Sequence, residues 1–416
     1  MIPFQKTGRI RAAAFLFAVL PLLPIYADDD TTFKLMTDVV PTVDLSTDAA
    51  SGLISAGAGE KVVEVVVDSS LTIAGGKAEA VLARCGADGV AGKSAASATA
   101  ALKPGQTRQR VAFRLKVGAI GLYELTFRVH AGDGAVLAEQ KTSLAVIPSR
   151  DGVGPDDWGI RTELARGKGT AASASLDWLR LAGFSHLRDA VYGQAAVSPA
   201  GIDFAALARD RGLATEAADA PPPPTALKSS AAFPETPEKR DFSSGSKAVD
   251  EFGWSTAPVS YAQTDLTQAA YLVRTYLLVR RLSSGPLFWY AFRDAGLDPA
   301  EPAPHFGLIR SDFSPKASYV AAGVLSATLG RRVWSKDYAE AESARVCAFG
   351  TGADAVVAGW IPEVPAASSP IHVALPPGNY LLRDWTGADR PVTIGSEGYD
   401  WALGPVPQYL VPIPTN

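Results

Sequence analysis

The chain has 416 residues, 47% of them hydrophobic and 20% charged, and a formal net charge of −4. This balance is that of a globular protein long enough for two or three domains. It excludes a nucleic-acid binder built on a basic face, because no stripe or helix is loaded with Lys and Arg.

Lys6, Arg9 and Arg11 precede an apolar run from Ala12 to Ile25, and Ile25-Tyr26-Ala27 offers a cleavage site. The run is short for a membrane span and carries Pro21 and Pro24. Residues 1–27 are therefore expected to be a signal peptide, leaving a secreted or periplasmic protein with no membrane span after its removal.

Residues 33–148 read as all-β. Lys61 to Val67 is β-branched, and Ala78 to Cys85 is strand-like. Val111, Phe113, Leu115 and Val117 alternate on one face of a strand, as do Tyr123, Leu125, Phe127 and Val129 on the next. Period-two patterns between Gly-rich turns predict an immunoglobulin-like β-sandwich. Cys85 and Cys347 fall in separate strand-like runs and are expected to be two separate buried thiols.

After a linker from Ser149 to Pro155, Asp157-Trp158-Gly159-Ile160-Arg161-Thr162 predicts a strand. A helix follows over Ala174 to Gly183, then a second strand, Phe184-Ser185-His186-Leu187-Arg188-Asp189. Ala205 to Arg211 reads as the next helix and Gly212 to Glu216 as the third strand. From Ala217 to Ser246 the pattern breaks into a Pro-rich linker, with Pro221 to Pro224 and a charged run from Glu235 to Asp241.

Regularity returns at Lys247-Ala248-Val249-Asp250-Glu251-Phe252-Gly253-Trp254-Ser255-Thr256. A carboxylate at a strand end beside two aromatics suits a nucleophile or acid in a cleft, where the rings exclude water and stack on a sugar. A surface acid at a strand end is the alternative. Asp265 and Gln268 suit the start of a helix that runs through Val279. Leu287 to Phe292 reads as a buried strand, ending at Arg293-Asp294. Strand, helix and strand in this order imply a parallel pair.

D-E-F-G-W-S-T, F-W-Y-A-F-R-D-A-G, F-G-L-I-R-S-D and S-P-K-A-S-Y resemble the last two βα units of a clan A glycoside hydrolase, family 39 and its bacterial exopolysaccharide-hydrolase relatives in particular. G-F-S-H-L-R-D is similar to the clan's second strand. The resemblance implies a TIM-type barrel over residues 151–330, with Glu251 as the retaining nucleophile at the end of strand seven. It places Arg188 under the active site, where an ion pair with Asp189 or Glu216 is the competing role. It makes Trp254, Trp289, Tyr290 and Asp294 substrate-binding candidates.

The chain departs from the clan in the middle. Five strands are recognisable where the barrel has eight, and three more units need on the order of 90 residues. The acid/base motif of strand four, of Asn-Glu-Pro type, is missing. A retaining pair needs a second carboxyl roughly 5–5.5 Å from the nucleophile. Glu216 is the candidate acid/base by position, with Glu163 as a second.

Beyond Ala317-Ser318-Tyr319 a last helix runs to Leu329, and residues 331–416 are again β. Ala344 to Phe349, Ala355 to Trp360, Gly378 to Asp384 and Tyr409 to Ile413 are its expected strands. Trp360, Trp385 and Trp401 either pack in its core or stack on sugars. The His and Cys residues lack metal-site spacing, and no nucleotide-binding loop occurs, so neither a metal nor a cofactor is expected.

The expected fold is therefore α/β plus β, a shortened TIM-type (β/α) barrel flanked by N-terminal and C-terminal β-sandwiches. The expected activity is retaining hydrolysis of O-glycosidic bonds in an exported polysaccharide or oligosaccharide. The alternatives are a non-catalytic, degenerate glycosidase scaffold that binds polysaccharide, and a truncated product without function.

Overall fold

Alternating apolar residues build the first pair of layers. The computed structural model describes residues 41–149, 158–162, 164, 169–189, 203–217, 236–239, 249–257, 263–282, 286–296, 305–341, 344–362 and 370–414. The expected signal peptide, Glu163 and most of the Pro-rich stretch lie outside them. The strands ahead of Pro148 are β1 (Val43–Ser46), β2 (Ile54–Ala56), β3 (Gly59–Ser69), β4 (Lys77–Cys85), β5 (Ala91–Ala101), β6 (Arg108–Val117), β7 (Gly121–His130) and β8 (Val136–Ile147).

One sheet has the order β1-β3-β6, the other β2-β8-β7-β4-β5. Val63, Val65, Phe113 and Leu115 of the first share one core with Ala80, Leu82, Leu125 and Phe127 of the second, each 2% exposed or less. Fully burying one such Val, Leu or Phe contributes about 1.5–3 kcal/mol. The Tyr123 hydroxyl donates to Ala119 O at 2.6 Å, the corner bond common in such sandwiches. Strand β5 gave no signal in the sequence, because Ala and Ser dominate it. Its ladder with β4 makes it a strand.

The middle of the chain alternates strand and helix: β9 (Trp158–Arg161), α1 (Gly169–Ala182), β10 (His186–Asp189), α2 (Phe204–Arg209), β11 (Ala214–Ala217), β12 (Val249–Phe252), α3 (Asp265–Arg281), β13 (Leu287–Trp289) and α4 (Ala317–Leu329). Its sheet has the order β11-β10-β9-β13-β12, and every neighbouring pair is parallel. Trp158, Ile160, Leu187, Leu287 and Trp289 point from it into the helix layer. Asp265 was the expected N-cap of α3, and the cap falls one residue earlier. Thr264, not Asp265, is the N-cap, accepting from Thr267 N at 3.1 Å.

Part of the Pro-rich stretch is structured after all. Pro237–Lys239 is a 3₁₀ turn. Glu238 in it grips the Arg274 guanidinium with both carboxylate oxygens and accepts from Trp360 Nε1 at 2.8 Å. Arg274 and Glu238 side chains are only 1% and 7% exposed. Burial pushes the Glu238 carboxyl up, but the bonds from Arg274 and Trp360 outweigh it and hold the group below its ordinary value of 4.5.

The last region contains β14 (Trp334–Ala341), β15 (Ala344–Phe349), β16 (Val356–Trp360), β17 (Ile371–Val373), β18 (Gly378–Arg383), β19 (Asp389–Ile394), β20 (Tyr399–Trp401) and β21 (Gln408–Pro412). A six-stranded sheet, β14-β15-β16-β21-β18-β19, packs with the β17-β20 pair. Trp360, Trp385 and Trp401 are 1%, 2% and 0% exposed, so of their two expected roles they take the core one. One hydrophobic cluster runs from Ala145 and Ile147 of β8 through the parallel sheet and its helices to Trp360 and Tyr409. Cys85 and Cys347 are both buried thiols, in β4 and β15. Among the described residues no helix is long and apolar enough to cross a membrane.

Candidate active site

Strand parity divides the parallel sheet into two faces. Trp158 and Ile160 enter the helix-side core, which leaves Gly159 and Arg161 for the other face. A Cβ on Gly159 would lie 2.7 Å from the Phe288 ring, so only glycine leaves that ring its place. Register aligns Arg161 with Arg188 of β10, and Arg188 with Glu216 of β11. Tyr290 follows Trp289, which pairs with Ile160.

The result is a row at the C-terminal ends of the strands, where parallel α/β sheets bind ligands. Arg188 lies over the Phe288 ring, its guanidinium carbon 3.7 Å from the centroid, and bonds Glu216 Oε2 at 3.2 Å. Arg161 sits 5.6 Å from the Tyr290 ring centroid. Backbone bonds knit the strand ends. Thr162 N donates to Arg188 O at 2.9 Å, Phe292 N to Arg161 O at 3.0 Å and Tyr290 N to Phe252 O at 2.5 Å. Gly253 permits this last approach, since a Cβ there would come within 2.0 Å of Tyr290 O.

Glu251 occupies the third position of β12, immediately before Phe252, which is aligned with Trp289. Its backbone therefore belongs to the same sheet, while its side chain lies outside the described residues. Glu216, the expected acid/base, is on β11, at the opposite edge of that sheet. Four strand spacings of about 4.8 Å separate the two along the sheet, and the Glu216 carboxylate bonds Arg188. Of the competing roles for Arg188, the ion pair with Glu216 is therefore present. Asp189 instead accepts from Thr162 Oγ1 and Leu164 N, each at 2.8 Å.

Two expected sugar platforms need correction. Trp254 and Trp289 are 1% and 0% exposed. Trp254 packs on Tyr271 and Trp289, and its carbonyl accepts from Gln268 Nε2 at 2.8 Å. Trp289 belongs to the helix-side core because its position shares the parity of Ile160, and Trp254 packs against it there. Tyr290 is the half-buried aromatic at the strand ends.

Asp294 is also not presented to a ligand, being 4% exposed. Its Oδ1 accepts from Lys316 Nζ at 2.9 Å and from Gly307 N at 2.7 Å. Lys316 completes its donors on Thr256 Oγ1 at 2.8 Å and His305 O at 3.2 Å. Burial drives Asp294 above the ordinary carboxyl value and Lys316 below the ordinary amine value. This cluster ties the segment after β12 to the loop after β13.

Arg161, Phe288 and Lys316 were not foreseen. Arg161 carried a signal, since it alternates with Trp158 and Ile160. Lys316 carried none, because its partners are set by loop geometry. Among the described residues no three His, Cys, Asp or Glu side chains converge as metal ligands would.

The chain has the fold of a glycoside hydrolase. Over 89% of its length it superimposes on all of a family 39 glycoside hydrolase from the gut symbiont Bacteroides cellulosilyticus WH2, with a TM-score of 0.69 and 20% identity. The resemblance expected from its strand-seven and strand-eight motifs is thus met at the level of fold. A Parabacteroides merdae β-glucuronidase covers 89% of this chain and 74% of its own at 10% identity, with a TM-score of 0.26. A β-D-mannosidase from Dictyoglomus thermophilum aligns at 10% identity, covering 86% of this chain and 61% of its own, with a TM-score of 0.27. No family model matches the sequence, and no curated protein does.

Proposed function

We propose that this chain is a glycoside-hydrolase-like protein acting on O-glycosidic bonds of an exported polysaccharide, by retaining displacement on Glu251. The observation that carries this reading is the row of Arg161, Arg188 and Tyr290 at the C-terminal ends of the sheet to which the Glu251 strand belongs. The Glu251 carboxylate would attack the anomeric carbon as the glycosidic oxygen leaves. Water would then release the sugar from the ester, with retention. Arg188 orients the site and Tyr290 offers a ring to the sugar. The five parallel strands are read as barrel strands one, two, three, seven and eight, with no counterpart of units four to six among the described residues, between an immunoglobulin-like sandwich over 33–148 and a second over 331–416. A signal peptide over 1–27 would direct the protein to the periplasm or the exterior.

The missing partner bears on the leaving group. General acid catalysis contributes typically about 10²–10⁴-fold, and Glu216 is engaged by Arg188 on the far edge. Activated aryl glycosides, whose leaving groups need no proton, are therefore the substrates to try first. Glu251→Gln is expected to abolish their turnover; unchanged turnover would sink the assignment.

A second reading, a non-catalytic scaffold that binds polysaccharide, is favoured by the position and pairing of Glu216. It predicts saccharide binding with no release of an activated aryl group. Hydrolysis lost on replacing a single carboxylate rules it out.

A further inference from the structure

A cavity of about 350 Å³ lies where β4, β7 and β8 meet the loop that leads into α4. Its size is within the range of small-molecule sites. Buried Cys85 and Leu122 give it a small apolar floor, and Glu124, Lys141, Arg310 and Asp312 a charged rim. None of Arg161, Arg188, Glu216 or Tyr290 lines it.

The rim is charge-balanced. Lys141 Nζ bonds Glu124 Oε1 at 3.1 Å. Arg310 pairs with Asp265, the first residue of α3. Asp312 uses one oxygen, Oδ1, to accept from Ser314 N at 3.0 Å and Ser314 Oγ at 2.7 Å. An anion entering the cavity would meet two carboxylates, and a cation two bases. A neutral polyol meets neither penalty, since its hydroxyls can donate to Glu124 and Asp312 and accept from Lys141 and Arg310. The C–H face of a pyranose ring matches the apolar floor.

We propose that this seam is an accessory site for one neutral sugar unit of the polysaccharide, held away from the strand ends where the bond is acted on. The inference rests on the polysaccharide reading above, and its test separates the two. Pentasaccharides of β-linked glucose, galactose, mannose and xylose, with a galacturonate pentasaccharide as the anionic control, are titrated calorimetrically into the full chain and its variants. At least one neutral probe is expected to bind. Glu124→Ala and Lys141→Ala, both at partly exposed positions, are expected to weaken it roughly tenfold each, the loss of one hydrogen bond to a charged group, with unchanged melting. Unchanged affinity in both variants, with binding lost in Arg188→Ala, overturns the accessory site and leaves the polysaccharide reading standing. Tighter binding of the galacturonate probe overturns the neutral-ligand assignment. A parent chain that binds no probe overturns both.

Discussion

Two Arg–Glu pairs of the same chemistry sit in opposite surroundings. Arg274 and Glu238 side chains are 1% and 7% exposed, while those of Arg188 and Glu216 are 16% and 40% exposed. The first pair is bonded through both carboxylate oxygens and has Trp360 as a third member. It joins the stretch between β11 and β12 to α3 and β16. The second has one bond, a ring beneath it and water beside it. Such a pair is worth about 0–1 kcal/mol and exchanges a partner for a ligand at little expense. Burial, rather than charge, separates the frame of this protein from its site.

The largest effect expected from this comparison is in the frame. Glu238→Ala leaves the Arg274 guanidinium buried without its carboxylate, and is expected to lower stability by about 3–5 kcal/mol in urea unfolding. A loss under about 1 kcal/mol would place the clamp with the surface pairs and erase the contrast.

The buried Lys316–Asp294 pair provides a second test of nearly equal size. Lys316→Met is expected to destabilise by about 3–5 kcal/mol, and adding Asp294→Leu is expected to recover much of it, because a paired removal leaves no orphan charge. If the double variant is as unstable as the single, the pair is held by more than charge compensation.

The frame pair also has a pH signature. Glu238 is held below its ordinary value, so its contribution is present above 4.5 and is lost as pH falls through the folded-state value. Stability is expected to decline below pH 4.5 more steeply in the parent chain than in Glu238→Gln, whose side chain does not titrate. Parallel acid curves for the two would show that the clamp carries no such linkage.

The smallest stability change belongs to the site pair. Arg188→Ala is expected to shift stability by only about 1 kcal/mol while saccharide binding or turnover is lost. A large drop in melting temperature with binding retained would move Arg188 into the frame.

Much of the fold was legible in local pattern. Val111 to Val117 and Tyr123 to Val129 showed their buried faces by alternation, and the last helix its end at Leu329. The motifs around Glu251 and Trp289 indicated the fold that the superposition shows. Strand β5 was hidden by its Ala-rich composition, and the Glu238 turn by the prolines around it. Trp289 was legible as part of a buried strand and Trp254 and Asp294 as residues near strand ends, but all three were expected at the ligand and lie in the core.

By itself, the sequence determined periodicity, and with it the order of strands and helices and which neighbours share a face. Period two along a strand is a local property of the backbone, so Gly159 and Arg161 are set opposite Trp158 and Ile160 wherever the strand goes. Only the tertiary structure decided which polar side chains are enclosed. Glu238 meets Arg274 and Trp360 across 36 and 122 residues of chain, and Ser143 meets Pro315 across 172. Whether a carboxylate becomes frame or site depends on what packs over it, and those atoms come from elsewhere in the chain.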